Sequence, residues 1–233
     1  MATPSPHIVL IPGAGSDQAY WDALRAELTT RGCSSTAVDL ACTDEQALLE
    51  DYANAVVDAV QRDPTAQGRP FHLLAHSFGA FTAGLVPELL PVQHLTLISP
   101  MIPIPGESGS DWWGATGQQA AHQEAATSAG LSLPLGMDDL FYNDFTSDQR
   151  RAAAAWDRDQ AEAAFTQPWP GTAWPSTPTT VLAFADDRLF PPTFVARLAT
   201  ERVGSLAGPV QQVPGGHMGM VSHPAELADA VID

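Results

Sequence analysis

The sequence predicts an α/β protein: a doubly wound, mostly parallel sheet of about six strands, interrupted by one inserted helical lid. Three observations predict it. Short, nearly continuous apolar runs rich in β-branched residues recur along the chain, as strands buried on both faces do. Stretches with apolar residues at three- and four-residue steps separate them, as amphipathic helices do. One long interval, residues 100–178, breaks the alternation and holds six of the nine Trp and Tyr residues.

The elements follow in order. Residues 7–11 (HIVLI) form the first strand, broken at once by Pro12 and Gly13. Trp21, Leu24 and Leu28 share one stripe, so residues 19–31 form a helix. A second strand spans 36–40. Residues 44–62 read as a helix with Leu48, Tyr52, Val56 and Val60 on one face and Asp44 near its start. Residues 71–74 are the third strand, 78–86 a helix stopped by Pro87, and 94–99 the fourth strand. Past the interruption, with its short helical pieces over 148–165, come a strand at 180–185, a helix at 193–203, a strand at 209–213 and a closing helix from 224 to 232. The core then comprises residues 1–99 and 179–233, and the lid 100–178.

Composition narrows the function. The 233 residues carry 10 basic and 27 acidic side chains, a net charge of −17, and every basic residue is Arg. Such a surface repels phosphate backbones and anionic bilayers, so neither a nucleic acid nor a membrane is the expected partner. No run approaches the roughly 20 apolar residues of a membrane span. The N-terminal stretch lacks a basic leader region and reaches Pro and Gly early, so the expected location is cytoplasmic. Cys33 and Cys42 fit that compartment as free thiols. No Cys/His spacing matches a zinc site. A small-molecule substrate is the expected partner, and a homodimer stays open.

Three residues follow strand ends, where such sheets place their sites. Ser77 stands in Ala75-His76-Ser77-Phe78-Gly79, a G-x-S-x-G pattern with Ala at its first position. Small flanks let strand and helix backbones pass closely, so the turn lifts the hydroxyl into the cleft. A lone short motif of this kind also fits a helix-capping Ser. Asp186 and Asp187 end the strand VLAFA; Asp187, by its position relative to Pro191, is preferred as the carboxylate that holds an imidazole, with Asp186 the alternative. His217 lies in Pro214-Gly215-Gly216-His217 after the last strand, free to turn its ring into the cleft. His7, His72 and His94 fall in strands, and His76 is expected to face away. The chain order Ser, Asp, His is far more specific than any one motif. The Phe78 N–H, and an N–H at Ala14 in the Gly-Ala-Gly turn after the first strand, can meet a developing oxyanion. That turn lacks the G-x-G-x-x-G and P-loop patterns of nucleotide sites.

On the segments PGAGSDQAYW, AHSFGA, FADDRLFP and PGGHMGM the chain resembles the α/β-hydrolase superfamily over essentially its whole length. It looks most like the short, lid-bearing group of plant methyl-ester hydrolases and hydroxynitrile lyases. The resemblance implies Ser77 as nucleophile, His217 as general base, Asp187 as its orienting acid, Ala14 and Phe78 as oxyanion donors, and no metal or organic cofactor. Two positions depart from the pattern: Pro12 replaces a His, and Ala75 the first elbow Gly.

The expected activity is hydrolysis of a carboxylic ester, thioester or lactone of a small, fairly apolar molecule through an acyl-enzyme. Related dehalogenases and epoxide hydrolases use an Asp nucleophile, and plant hydroxynitrile lyases a lid lysine that this chain lacks. Lactonisation, acyl transfer, a lyase or perhydrolase step, and a catalytically silent binding module are the alternatives. Trp112, Trp113, Phe141 and Met218 are the candidate pocket residues, with Met101 at the border.

Overall fold

The computed structural model describes residues 5–232. Residues 1–4, part of the stretch weighed above as a leader, and residue 233 lie outside the described residues. Six parallel strands form one sheet: β1 (His7–Ile11), β2 (Ser35–Ala37), β3 (Phe71–His76), β4 (Val92–Ile98), β5 (Thr179–Phe184) and β6 (Gln211–Val213). Their spatial order is β2-β1-β3-β4-β5-β6. The order reverses between β1 and β3, which is where an open α/β sheet carries its crevice.

Alternation within the strands splits the core in two. Val9, Ile11, Leu73, Leu95, Leu97 and Val181 face one layer, built by α2 (Leu49–Arg62), α3 (Gly79–Ala83) and α9 (Pro192–Arg202). Ile8, Leu10, Leu74, Ile98 and Leu182 face the other, built by α1 (Asp22–Thr30) and α11 (Pro224–Ile232). Both faces are apolar because both are covered, which is why the strands read as unbroken apolar runs.

Several helices are shorter than their periodicity predicts. The helix expected from residue 44 begins at Leu49, because the Asp44 carboxylate accepts from the Gln46 N–H at 2.9 Å and makes a turn of residues 44–47. The helix expected over 78–86 is only α3, followed by a 3-10 turn at Val86–Glu88. Residues 18–21 are a 3-10 turn ahead of α1. Between β4 and β5 run five short helices: α4 (Gly109–Ala115), α5 (Gln118–Ser128), α6 (Met137–Phe141), α7 (Ser147–Ala153) and α8 (Glu162–Thr166). α10 (Gly219–Ser222), just after His217, has no sequence-level counterpart. Among the described residues no helix is long and apolar enough to cross a membrane.

Candidate active site

Register brings the first two strand ends together. Ile11 pairs with Ala75, so the turn after β1 and the turn after β3 leave the sheet at one level. At Ser77 the backbone takes φ +51°, a left-handed conformation that costs a non-Gly residue of order 1–3 kcal/mol. Flanking bonds hold it there: the Ser77 N–H donates to the Ile98 carbonyl at 3.1 Å, and its carbonyl accepts from Met101 at 3.0 Å. Gly79 is the residue this turn cannot enlarge. A Cβ there would lie 2.5 Å from the Pro12 oxygen and 2.9 Å from that of Ile11.

The turn after β1 carries Gly13, Ala14 and Gly15. The Gly13 N–H donates to the Tyr20 hydroxyl at 3.0 Å, and the Gly15 N–H to Gln160 Oε1 at 3.1 Å. Residues 156–160 brace the same turn through Asp17 N–H to the Trp156 carbonyl at 2.9 Å and Arg158 N–H to the Gly15 carbonyl at 2.8 Å. Between these anchors the Ala14 N–H donates to no group among the described residues, and neither does the Phe78 N–H across the crevice. Two backbone donors are thus left open beside Ser77.

Asp187 and His217 meet as a buried pair. His217 Nδ1 donates to Asp187 Oδ2 at 2.9 Å, with the side chains 1% and 0% exposed. The other carboxylate oxygen accepts the Leu189 and Phe190 N–H groups at 2.9 and 2.8 Å. Asp187 therefore has one oxygen fixed by its own loop and one committed to the imidazole. Asp186 is exposed and meets the next loop through its backbone. His217 Nε2 is buried and has no partner among the described residues. Leaving such a nitrogen unpaired costs about 1–3 kcal/mol.

Ala14, Ser77 and His217 share one cavity of about 360 Å³, whose polar lining also includes Asp138, Arg150, Asp157 and Arg158. Met101, Trp113, Phe141, Phe165 and Met218 supply an apolar side. Trp112 does not reach it. Its ring is fully buried against Phe190 and Phe194, and its Nε1–H donates to the Ile102 carbonyl at 3.1 Å. Adjacent positions on a helix point about 100° apart, so only one of the Trp pair faces the cavity.

His76 corrects a second expectation. It does not face away: its ring lies 4.7 Å from that of His217 and borders the cavity. Strand alternation puts it on the Leu74 face, against Tyr20. The Tyr20 hydroxyl, which burial keeps protonated, donates to His76 Nδ1 at 3.4 Å. Burial, with the nearby His217, pushes the His76 imidazole well below the usual range, so it stays neutral. Sequence reasoning missed Tyr20, Gln160 and the Asn143–Asp144 pair described below. An Asn-Asp step reads only as a turn, and no local pattern names the distant loop it will touch. Among the described residues no group of three or more His, Cys, Asp and Glu side chains could hold a metal ion.

Known proteins share this architecture. The chain is 32% identical over 96 residues to norfluorocurarine synthase 2 from a Strychnos species, a match that spans 38% of this chain and 35% of that one. A variant of polyneuridine aldehyde esterase superposes over 98% of both chains, with a TM-score of 0.73 and 21% identity. A pyrethroid hydrolase from Sphingobium faniae JZ-2 does so over 97% of this chain and 95% of its own, with a TM-score of 0.70 and 22% identity. Residues 8–230 match the model of the alpha/beta hydrolase family, and to that family the chain belongs.

Proposed function

We propose that this protein is a serine hydrolase that cleaves a carboxylic ester, or a thioester or lactone, of a small and fairly apolar molecule. One observation carries the reading. Ser77, the Asp187-paired His217 and the turn that carries the open Ala14 N–H line a single cavity, with the open Phe78 N–H next to Ser77 in the chain and Met101, Trp113, Phe141, Phe165 and Met218 on an apolar side.

In this reading Ser77 Oγ attacks the carbonyl carbon while His217 Nε2 takes its proton. Asp187 keeps the Nδ1–H tautomer and stabilises the imidazolium. The negative charge on the tetrahedral oxygen is met by the N–H groups of Ala14 and Phe78, an interaction worth about 10²–10³-fold in rate per donor. The imidazolium then protonates the departing alkoxide, and the acyl group stays on Ser77. Water, deprotonated by His217, attacks that acyl-enzyme and releases the acid. Residues 100–178 act as the lid, and Trp113, Phe141 and Met218 meet the apolar part of the substrate. The esterase and hydrolase names borne by similar structures support this reading.

A second reading keeps the same groups but ends without hydrolysis. A relative 32% identical over part of the chain is named a synthase. Product analysis separates the two, because only hydrolysis adds water across the acyl bond and frees the acid together with its alcohol, thiol or ring-opened hydroxyl.

The test is hydrolysis of p-nitrophenyl acetate and butyrate by the wild type and by Ser77→Ala. The reading expects turnover that falls by several orders of magnitude in the variant. Equal turnover by both proteins rejects Ser77 as nucleophile. Ligand binding by a folded wild type without any turnover supports a silent binding module.

A further inference from the structure

The segment between β4 and β5 also touches the site from behind. Asn143 and Asp144, adjacent residues between α6 and α7, each hold the backbone next to one member of the buried pair. The Asn143 Nδ2–H donates to the Asp186 carbonyl at 3.1 Å, one residue before Asp187. Asp144 Oδ2 accepts the Gly216 N–H at 2.7 Å, one residue before His217. The same oxygen accepts from the Ser222 hydroxyl at 2.5 Å and lies 3.4 Å from His223 Nδ1, which ties it to α10 on the far side of His217.

Fit is close on the Gly216 side. A Cβ at Gly216 would stand 2.3 Å from Asn143 Oδ1 and 2.8 Å from Asp144 Oδ1. The loop before His217 has thus been cut to the bare backbone where this dipeptide packs. Two more side chains of the segment receive the acid loop. The Gln118 Nε2–H donates to the Leu189 carbonyl at 2.6 Å and the His122 Nδ1–H to that of Arg188 at 2.7 Å. Carbonyls 186, 188 and 189 are all held this way, and of these four side chains of the segment those of the 143–144 step reach both loops.

We propose that Asn143 and Asp144 are positioning residues that set the Asp187–His217 hydrogen bond, so that the inserted segment governs the base as well as substrate fit. This rests on the serine-hydrolase reading. Displacement of a reacting group by about 1 Å can cost 10²-fold in rate, so a small loop shift is visible in turnover.

The experiment compares Asp144→Ala, Asp144→Asn, Asn143→Ala and a control, Asp148→Ala, whose side chain is 88% exposed in the same segment. Values of kcat and KM are read on p-nitrophenyl butyrate, far below each thermal midpoint. In parallel, proton NMR follows the low-field signal of the His217 Nδ1–H, identified by its loss in His217→Ala. The expectation for Asp144→Ala is a kcat lowered about ten- to hundred-fold with KM within about two-fold, and a broadened or lost low-field signal. Asp144→Asn, which keeps an oxygen for the Gly216 N–H, recovers most of kcat and the signal. Asn143→Ala falls between, and Asp148→Ala matches the wild type. If Asp144→Ala does not fold, Asp144→Asn and Asn143→Ala carry the comparison. Wild-type kcat and an unchanged signal in folded Asp144→Ala or Asn143→Ala overturn the proposal while wild-type turnover, lost in Ser77→Ala, leaves the hydrolase reading standing. Absence of wild-type turnover rejects that reading instead, and the NMR signal still decides whether Asp144 positions the pair.

Discussion

β3 and the segment between β4 and β5 both deliver groups to the cavity, by different means. β3 lies inside the sheet, and its end is held by strand register, by bonds to Ile98 and Met101, and by the close passage of Gly79 under Pro12. Ser77 sits there in a conformation that only such confinement sustains. The inserted segment has helices of 5 to 11 residues, too short to be stable alone, and relies on side-chain caps such as Ser108 and Thr146. Its aromatic cavity residues Trp113, Phe141 and Phe165 are only partly buried, whereas Trp112 and Trp169 anchor it in the core. The backbone of the sheet sets Ser77, and the side chains of the segment set what surrounds the cavity. Substitutions that respect or violate this division should differ in kind.

The largest effect is expected at the buried pair. Asp187→Ala should lower kcat by about 10³–10⁴-fold, whereas Asp186→Ala, on an exposed side chain, should stay within a few-fold of wild type. Initial rates on p-nitrophenyl butyrate check this, and equal losses at the two positions would break the account of the acid loop. Next comes Gly79→Val. Forcing a side chain against the Pro12 and Ile11 carbonyls should part the two strand-end turns, with a loss of about 1–3 kcal/mol in urea unfolding. Its activity should fall by at least about ten-fold, because the open N–H groups separate.

The Trp pair sharpens the contrast within the segment itself. Trp112→Ala should cost about 3–5 kcal/mol of stability and leave the butyrate-to-acetate preference unchanged. Trp113→Ala should cost little stability and shift that preference by several-fold, because its ring borders the cavity. The reverse pattern would reassign the pocket.

pH acts on the sheet. Burial, with a further contribution from His94, pushes His72 from 6.5 down to about 4. Below pH 6.5 the unfolded chain takes up this proton before the folded one does. Stability is therefore full above that pH and declines as pH falls toward the folded value, by up to about 3 kcal/mol. Burial lowers His7 and His76 as well, so all three act in one direction. Urea midpoints near pH 7 and near pH 4.5 should show this decline, and His72→Gln should lose less between them. A flat response in both proteins would contradict it.

Much of this was legible in the chain, for identifiable reasons. The strands announce themselves because both faces are covered, and β1, β3 and β5 lie within two residues of their predicted bounds. Ser77, Asp187 and His217 stand out because each follows a strand end, Ser77 and His217 in small or Gly-rich turns and Asp187 in an Asp-Asp step. Helix starts were less legible. Periodicity continues through Asp44 and Leu48, but the Asp44 side chain diverts the backbone into a turn. Tertiary neighbours were not legible at all. Nothing near Trp112 or Trp113 says which ring the core will take, and nothing near Asp144 points to Gly216, 72 residues away.

The most direct measurement maps where a covalent serine reagent lands. Phenylmethanesulfonyl fluoride should add once per chain, and digestion with mass spectrometry should place the sulfonyl group on Ser77. Esterase activity should fall in step with that addition. An adduct on another residue accompanying the loss of activity, or full activity in a chain already modified at Ser77, would contradict the account.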